Sequence, residues 1–150
     1  MPATLPPLPA VRCSHAIPGL HYQDAPAAIR WLVEVLGAEA RRVYPGPDGT
    51  VAHAELWFGD GCVMLGSFRD DGLPPTRPGE SSVYLVLESP EAVGAMFARA
   101  TAGGARILRP LHDTAYGSRD FGCADPEGNV WHFGTYAPEL AGALPPTEYP

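Results

Sequence analysis

Short segments of this sequence alternate apolar and polar residues. Within them lie side chains that could do chemistry or bind a ligand: imidazole, carboxylate, aromatic and thioether groups. An imidazole beside a carboxylate can act as a general base, and a tryptophan or tyrosine can stack on a planar ligand. Alternate residues of a strand share one face of its sheet, so such groups can converge without being adjacent in sequence. We predict that six of them line a ligand pocket: His53, Glu55, Trp57, Met64, Tyr84 and His132.

The alternation separates these residues from the bulky apolar side chains of the same segments. Leu56 and Phe58 are expected to pack under a helix, and His53, Glu55 and Trp57 then point to the opposite side of the strand. The same reasoning puts Met64, Tyr84 and His132 on that side, with His21 as a further candidate from the first strand. A small number of polar groups among apolar side chains is typical of a small-molecule site.

Two helices and eight strands are expected to position this pocket. The first helix has Asp24 as its N-cap and ends at Gly37, and the second has Ser89 as its N-cap and ends at Gly103. The predicted strands cover 16–22, 40–44, 51–58 and 62–68, and then 82–87, 105–109, 117–123 and 129–134. The order β-α-β-β-β therefore occurs twice. It predicts an α+β fold in which two tandem βαβββ modules form a cupped mixed sheet with helices on the outer face.

Proline and glycine divide the chain into these modules. We expect a single domain in which module one covers about 14–68, a linker covers 69–80 and module two covers about 81–136. Proline-rich arms are expected at both ends, because proline fixes φ and lacks a backbone N–H.

Composition limits the function classes. A chain of 150 residues with 45% hydrophobic content can bury a core, and a formal net charge of −7 disfavours binding to nucleic acid. No stretch approaches the roughly 20 apolar residues of a membrane span, so no membrane association is expected. Three widely spaced cysteines are not a disulfide framework, which favours reduced thiols and a cytoplasmic location.

Three passages resemble the glyoxalase/bleomycin-resistance branch of the vicinal oxygen chelate superfamily. They are DAPAAIRWL at 24–32 followed by VLGA, HAEL at 53–56 followed by GDGCVML, and YGSRDF at 116–121 followed by DPEGNVWHF. The similarity runs from about residue 17 to residue 136. It implies paired βαβββ modules, a cupped site and a homodimer.

The resemblance also implies four metal-ligand positions, which family enzymes fill with His, Glu or Gln. Here they correspond to Ile17, Ser81 or Ser82, Met64 and His132. One plausible donor in four does not hold a divalent metal well. We therefore predict no metal, no other cofactor and no catalytic residue.

Two functional hypotheses remain open at this stage. The first is a metal-free protein that binds a small molecule, as the drug-sequestering relatives bind bleomycin-type antibiotics. The alternative is a metal-dependent lyase, isomerase or dioxygenase with a non-standard ligand set drawn from His15, His21, His53, Glu55 and His132, or an enzyme in which a histidine acts as general base.

Overall fold

The computed structural model describes residues 16–70 and 77–138. Each module contains four strands and one α-helix. In module one the elements are β1 (Gly19–Tyr22), α1 (Ala25–Glu34), β2 (Glu39–Pro45), a short 3-10 helix (Pro47–Gly49), β3 (Val51–Phe58) and β4 (Gly61–Ser67). In module two they are β5 (Ser82–Val86), α2 (Pro90–Ala102), β6 (Arg106–Asp113), β7 (Arg119–Ala124) and β8 (Val130–Gly134).

The strands form two four-stranded mixed sheets of identical topology. Their orders are β1-β4-β3-β2 and β5-β8-β7-β6, and the first and last strand of each module are parallel neighbours. The α+β fold of two βαβββ modules is thus confirmed. Each module closes its own hydrogen-bonded sheet, because its first strand pairs with its own last strand.

Local sequence explains where the helices begin. The Asp24 carboxylate accepts a hydrogen bond from the Ala27 N–H at 3.0 Å, and the Ser89 hydroxyl accepts one from the Ala92 N–H at 3.1 Å. Both helices then begin with the proline-containing first turn that suits a missing N–H donor. Gly37 follows α1 with φ +74°, a conformation that favours glycine.

Two strands differ from the prediction by three or more residues at one end. β1 begins at Gly19 rather than at residue 16, since Pro18 has no N–H with which to extend the ladder. β6 continues through Pro110 to Asp113, four residues beyond the predicted end at 109. Because β6 is an edge strand with an irregular register around Arg109, proline is tolerated there.

The two modules share one core on their helix-bearing sides. The Phe58 ring of β3 lies 5.7 Å from the Trp131 ring and 6.5 Å from the Phe133 ring of β8, measured between centroids. Arg99 of α2 donates hydrogen bonds to the carbonyl oxygens of Val33, Glu34 and Val35 at 3.1 to 3.3 Å, which satisfies the last turn of α1. The modules are therefore joined by their helix-bearing sides.

Several predicted features lie outside the residues that the structure describes: the two proline-rich arms almost entirely, and positions 71–76 of the linker. In the described ranges, no helix has the length and apolar character needed to cross a membrane.

Candidate functional site

The first open face, which we define as the side of the first sheet opposite α1, carries four of the six predicted residues. On β3, Ala54 and Leu56 are fully buried, so the intervening residues face the other way, as the alternation predicted. Met64 of β4 lies level with Glu55 on one side and Gly19 on the other. His53 Nε2 is 3.5 Å from Oε1 of Glu55. His53, Glu55, Trp57 and Met64 are thus neighbours on one surface.

Charged groups surround these residues on the same sheet. The Arg42 guanidinium is 4.0 Å from the Glu55 carboxylate, and the Arg41 guanidinium lies 4.5 Å from the Trp57 ring centroid. The Glu55 carboxylate therefore already has the Arg42 guanidinium and the His53 imidazole nearby. The indole Nε1 of Trp57 is buried and has no hydrogen-bond partner in the part of the chain that the structure describes.

The second open face, on the side of the second sheet opposite α2, carries the other two predicted residues. Tyr84 lies directly opposite His132, and His132 lies directly opposite Gly122. A Cβ added at Gly122 would be 3.0 Å from Nδ1 of His132, so the imidazole lies across this glycine. The absence of a side chain at position 122 thus fixes where the His132 ring lies.

Tyr84 reaches further across this face. Its hydroxyl donates a 2.9 Å hydrogen bond to the Tyr136 carbonyl, and the ring is 41% exposed. Partial burial, and then the nearby Asp120 carboxylate, raise the pKa of Tyr84 above its ordinary value. At neutral pH its hydroxyl is therefore protonated and able to donate.

Asp120 is a polar residue of the second open face that sequence reasoning did not select. Its carboxylate accepts hydrogen bonds from the hydroxyls of Ser118 and, at 3.4 Å, Tyr116. The alternation of the strand could have indicated Asp120, because the apolar residues Phe121 and Cys123 share one face. Both are buried, and Asp120 lies on the opposite face. His21, a further candidate from the sequence, lies on the first open face. Its Nδ1 is buried there and has no hydrogen-bond partner among the described residues.

The predicted pocket residues belong to two separately hydrogen-bonded sheets. The helix-bearing sides share the core, so each open face is the side of its own sheet that is turned away from that core. His53, Glu55, Trp57 and Met64 lie on the first sheet, and Tyr84 and His132 lie on the second. The sequence could not reveal this separation, because alternation assigns a face within a sheet but not the packing of two sheets.

A cavity of about 750 Å³ lies away from both open faces. Asp24, Asp70, Glu80 and Glu127 line it at the junction of the modules. Glu127 already accepts hydrogen bonds there from the backbone N–H groups of Gln23 and Asp24, at 2.7 and 3.0 Å. We do not place the functional site in this cavity, because its polar groups serve to join the modules.

The residues at the four family metal positions do not fit a divalent cation. Ile17 precedes β1, Ser82 lies opposite Val130, and Met64 and His132 are on different faces. Among residues 16–70 and 77–138, no three His, Cys, Asp or Glu side chains are grouped to hold a metal ion. His15, a member of the alternative ligand set, lies outside these ranges. Of the four family positions, only His132 carries a side chain of the type that family enzymes use.

Comparison with known proteins identifies several relatives. The model of the Glyoxalase/Bleomycin resistance protein/Dioxygenase superfamily matches residues 14–133. TioX from Micromonospora sp. ML1 has a similar crystal structure, with 33% identity and a TM-score of 0.67 over 81% of this chain and 97% of TioX. An uncharacterised protein of Mycobacterium bovis is 34% identical over 125 residues, which are 78% of this chain and 80% of the relative. A glyoxalase/bleomycin resistance protein/dioxygenase from Nocardioides, at 18% identity and a TM-score of 0.63, shares the fold.

Proposed function

The chain belongs to the Glyoxalase/Bleomycin resistance protein/Dioxygenase superfamily, and on that premise we propose that it binds a small organic molecule without a metal and without turnover. The ligand class is a planar or amphipathic natural product, such as an antibiotic. The observation that carries this proposal concerns two buried polar atoms on one open face, His21 Nδ1 and Trp57 Nε1. Neither has a hydrogen-bond partner within residues 16–70 and 77–138. A bound ligand would relieve the cost of leaving such atoms unpaired.

The surroundings of Trp57 support a planar ligand. Arg41 covers one side of the indole, so a flat ring would stack on the other side, while Nε1 donates to a polar substituent. Met64 adds a thioether that adapts to irregular apolar shapes. Glu55 is less suited to a ligand cation than its type alone indicates, because Arg42 and His53 already accompany it.

A homodimer belongs to the same proposal. The two open faces belong to different sheets, and in the proposed dimer the second open face of one copy lies against the first open face of its partner. That arrangement would unite all six predicted residues in a cup between subunits. The second open face exposes large apolar side chains, Tyr84 at 41% and Val86 at 49%, which is consistent with a covered surface.

We also propose that the protein is located in the cytoplasm.

Calorimetry with purified full-length protein and a panel of bleomycin-type and other natural products tests binding. We expect one-to-one binding per site in the nanomolar to micromolar range, weakened at least tenfold in Trp57→Ala, since stacking and a hydrogen bond are lost (about 1 kcal/mol or more each). Val43→Ala is the matched control. It shortens an exposed apolar side chain on β2 opposite the buried Ala54, away from the open face.

Two results would refute the proposal. One is the absence of binding across a broad panel. The other is a near-stoichiometric zinc, nickel, manganese or iron content in untagged protein that His132→Ala abolishes, because this would favour the metal-dependent lyase, isomerase or dioxygenase instead.

A further inference from the structure

The two modules differ at one equivalent position beside their last strands. Gly19 of β1 lies opposite Met64 of β4, and Tyr84 of β5 lies opposite His132 of β8. Two residues further along, His21 lies opposite Gly66, and Val86 lies opposite Gly134. Both last strands thus carry a glycine at the same place, but only module two has a tyrosine beside it.

In module two the tyrosine fills the space above the glycine. A Cβ added at Gly134 would collide with the Tyr84 hydroxyl and the Asp120 carboxylate. In module one Gly19 has no side chain to cover Gly66. The result is a notch of about 160 Å³ on the first open face, bordered by His21, His53 and Met64.

The notch presents both polar and apolar groups. A Cβ added at Gly66 would be 3.1 Å from the Ala52 carbonyl oxygen, so this acceptor lies beside the floor of the notch. His21 Nδ1 is buried at the wall of the notch, and no residue in the described ranges forms a hydrogen bond with it. Met64 supplies a thioether, which makes favourable contacts with aromatic rings.

We propose that this notch binds one hydroxylated six-membered aromatic ring of the ligand. The size fits, since a cavity of roughly 150 Å³ accommodates benzene. A hydroxyl both donates and accepts, so it can pair with His21 Nδ1 in either tautomer and can otherwise donate to the Ala52 carbonyl. The inference rests on the proposed function for its ligand class, and it names the residues that select the ring: Gly19, Gly66 and His21.

Titration of ¹⁵N-labelled full-length protein with phenol tests the notch. We expect saturable shifts confined to the amides around Gly19, His21 and Gly66. Gly19→Tyr reproduces the arrangement at Tyr84 and is expected to weaken phenol binding about tenfold or more, because the new ring occupies the notch. Val43→Ala is its control. Val43 lies on β2 opposite the buried Ala54, away from the notch, so phenol binding should stay within about twofold.

His21→Phe gives a second, independent readout that does not depend on whether Gly19→Tyr folds. Wild-type protein should bind phenol more tightly than toluene by about fivefold or more, and His21→Phe should abolish that preference, since the partner of the hydroxyl is lost. Equal affinity for the two probes in wild-type protein would overturn the proposal. So would phenol binding in Gly19→Tyr at wild-type strength.

The outcomes separate this inference from the proposed function. If phenol fills the notch but no natural product binds, the notch stands and the proposed function fails. If a natural product binds in a manner that depends on Trp57, and Gly19→Tyr leaves its affinity unchanged, the proposed function stands and the notch proposal is wrong.

Discussion

The Tyr22 hydroxyl donates a 2.7 Å hydrogen bond to Oδ2 of Asp125, which connects module one to module two across 103 residues of sequence. The same Oδ2 accepts from Asn129 Nδ2 and Trp131 Nε1, each at 3.1 Å. Oδ1 accepts from the backbone N–H groups of Glu127 and Asn129, each at 3.0 Å. One carboxylate, 5% exposed, therefore closes its own turn and fixes the junction of the modules.

Asp125→Asn should strongly destabilise the protein. An amide nitrogen at either oxygen position would face donors instead of accepting from them, and the buried donors would lose their partner. We expect the free energy of unfolding, measured by urea denaturation, to fall by about 3 kcal/mol. Tyr22→Phe, which removes one of the bonds and keeps the ring, should cost about 1 kcal/mol. Equal stability of Asp125→Asn and wild type would show that the carboxylate does not stabilise the junction.

Cys123 gives a pH-dependent prediction. Burial, and then the Asp125 carboxylate, raise the pKa of its thiol to about 11. The folded state thus keeps the thiol neutral while the unfolded chain ionises it near its ordinary pKa of about 8.5. The resulting stability is complete below that pH and is lost as the pH rises towards 11. Burial also raises the pKa of Tyr22, which adds a loss at still higher pH.

Urea denaturation between pH 8 and 11 measures this effect. Wild-type stability should fall with pH, and Cys123→Ala should show a shallower fall over the lower part of the range. Peptide-mapped alkylation at pH 8 should leave Cys123 unmodified in the folded protein, since the thiolate is the reactive form. Rapid alkylation of Cys123 without unfolding, or identical slopes in both proteins, would contradict the assignment.

The proposed dimer predicts that a charge at Val86 disrupts assembly. Val86 is 49% exposed on the second open face, and an arginine placed there would be buried without a partner in a closed cup. Sedimentation equilibrium should show a dimer for wild type and predominantly monomer for Val86→Arg. Val43→Arg, at an exposed site of 46% on β2, should remain dimeric. A monomeric wild type, or a dimeric Val86→Arg, would refute this pairing of faces.

Local features of the fold were predictable because each depends on neighbouring residues. The caps Asp24 and Ser89, the glycine after α1 and the alternation around Leu56 all act within a few residues, and the structure agrees with them. The residue types of the DPEGN passage predict its turn. Its role in joining the modules was not, because Tyr22 meets Asp125 only through tertiary packing.

The sequence alone determined the βαβββ repeat, the facing of the strand residues and the poor metal-ligand set at Ile17, Met64 and His132, since spacing and side-chain chemistry suffice for each. Only the tertiary structure decided that His53 and Glu55 lie on a different sheet from Tyr84 and His132, and that Gly19 leaves a notch which Tyr84 closes in the other module. These relationships depend on which strands pair and which residues stand in register across them. Contacts of that kind join distant segments, and neither periodicity nor composition records them.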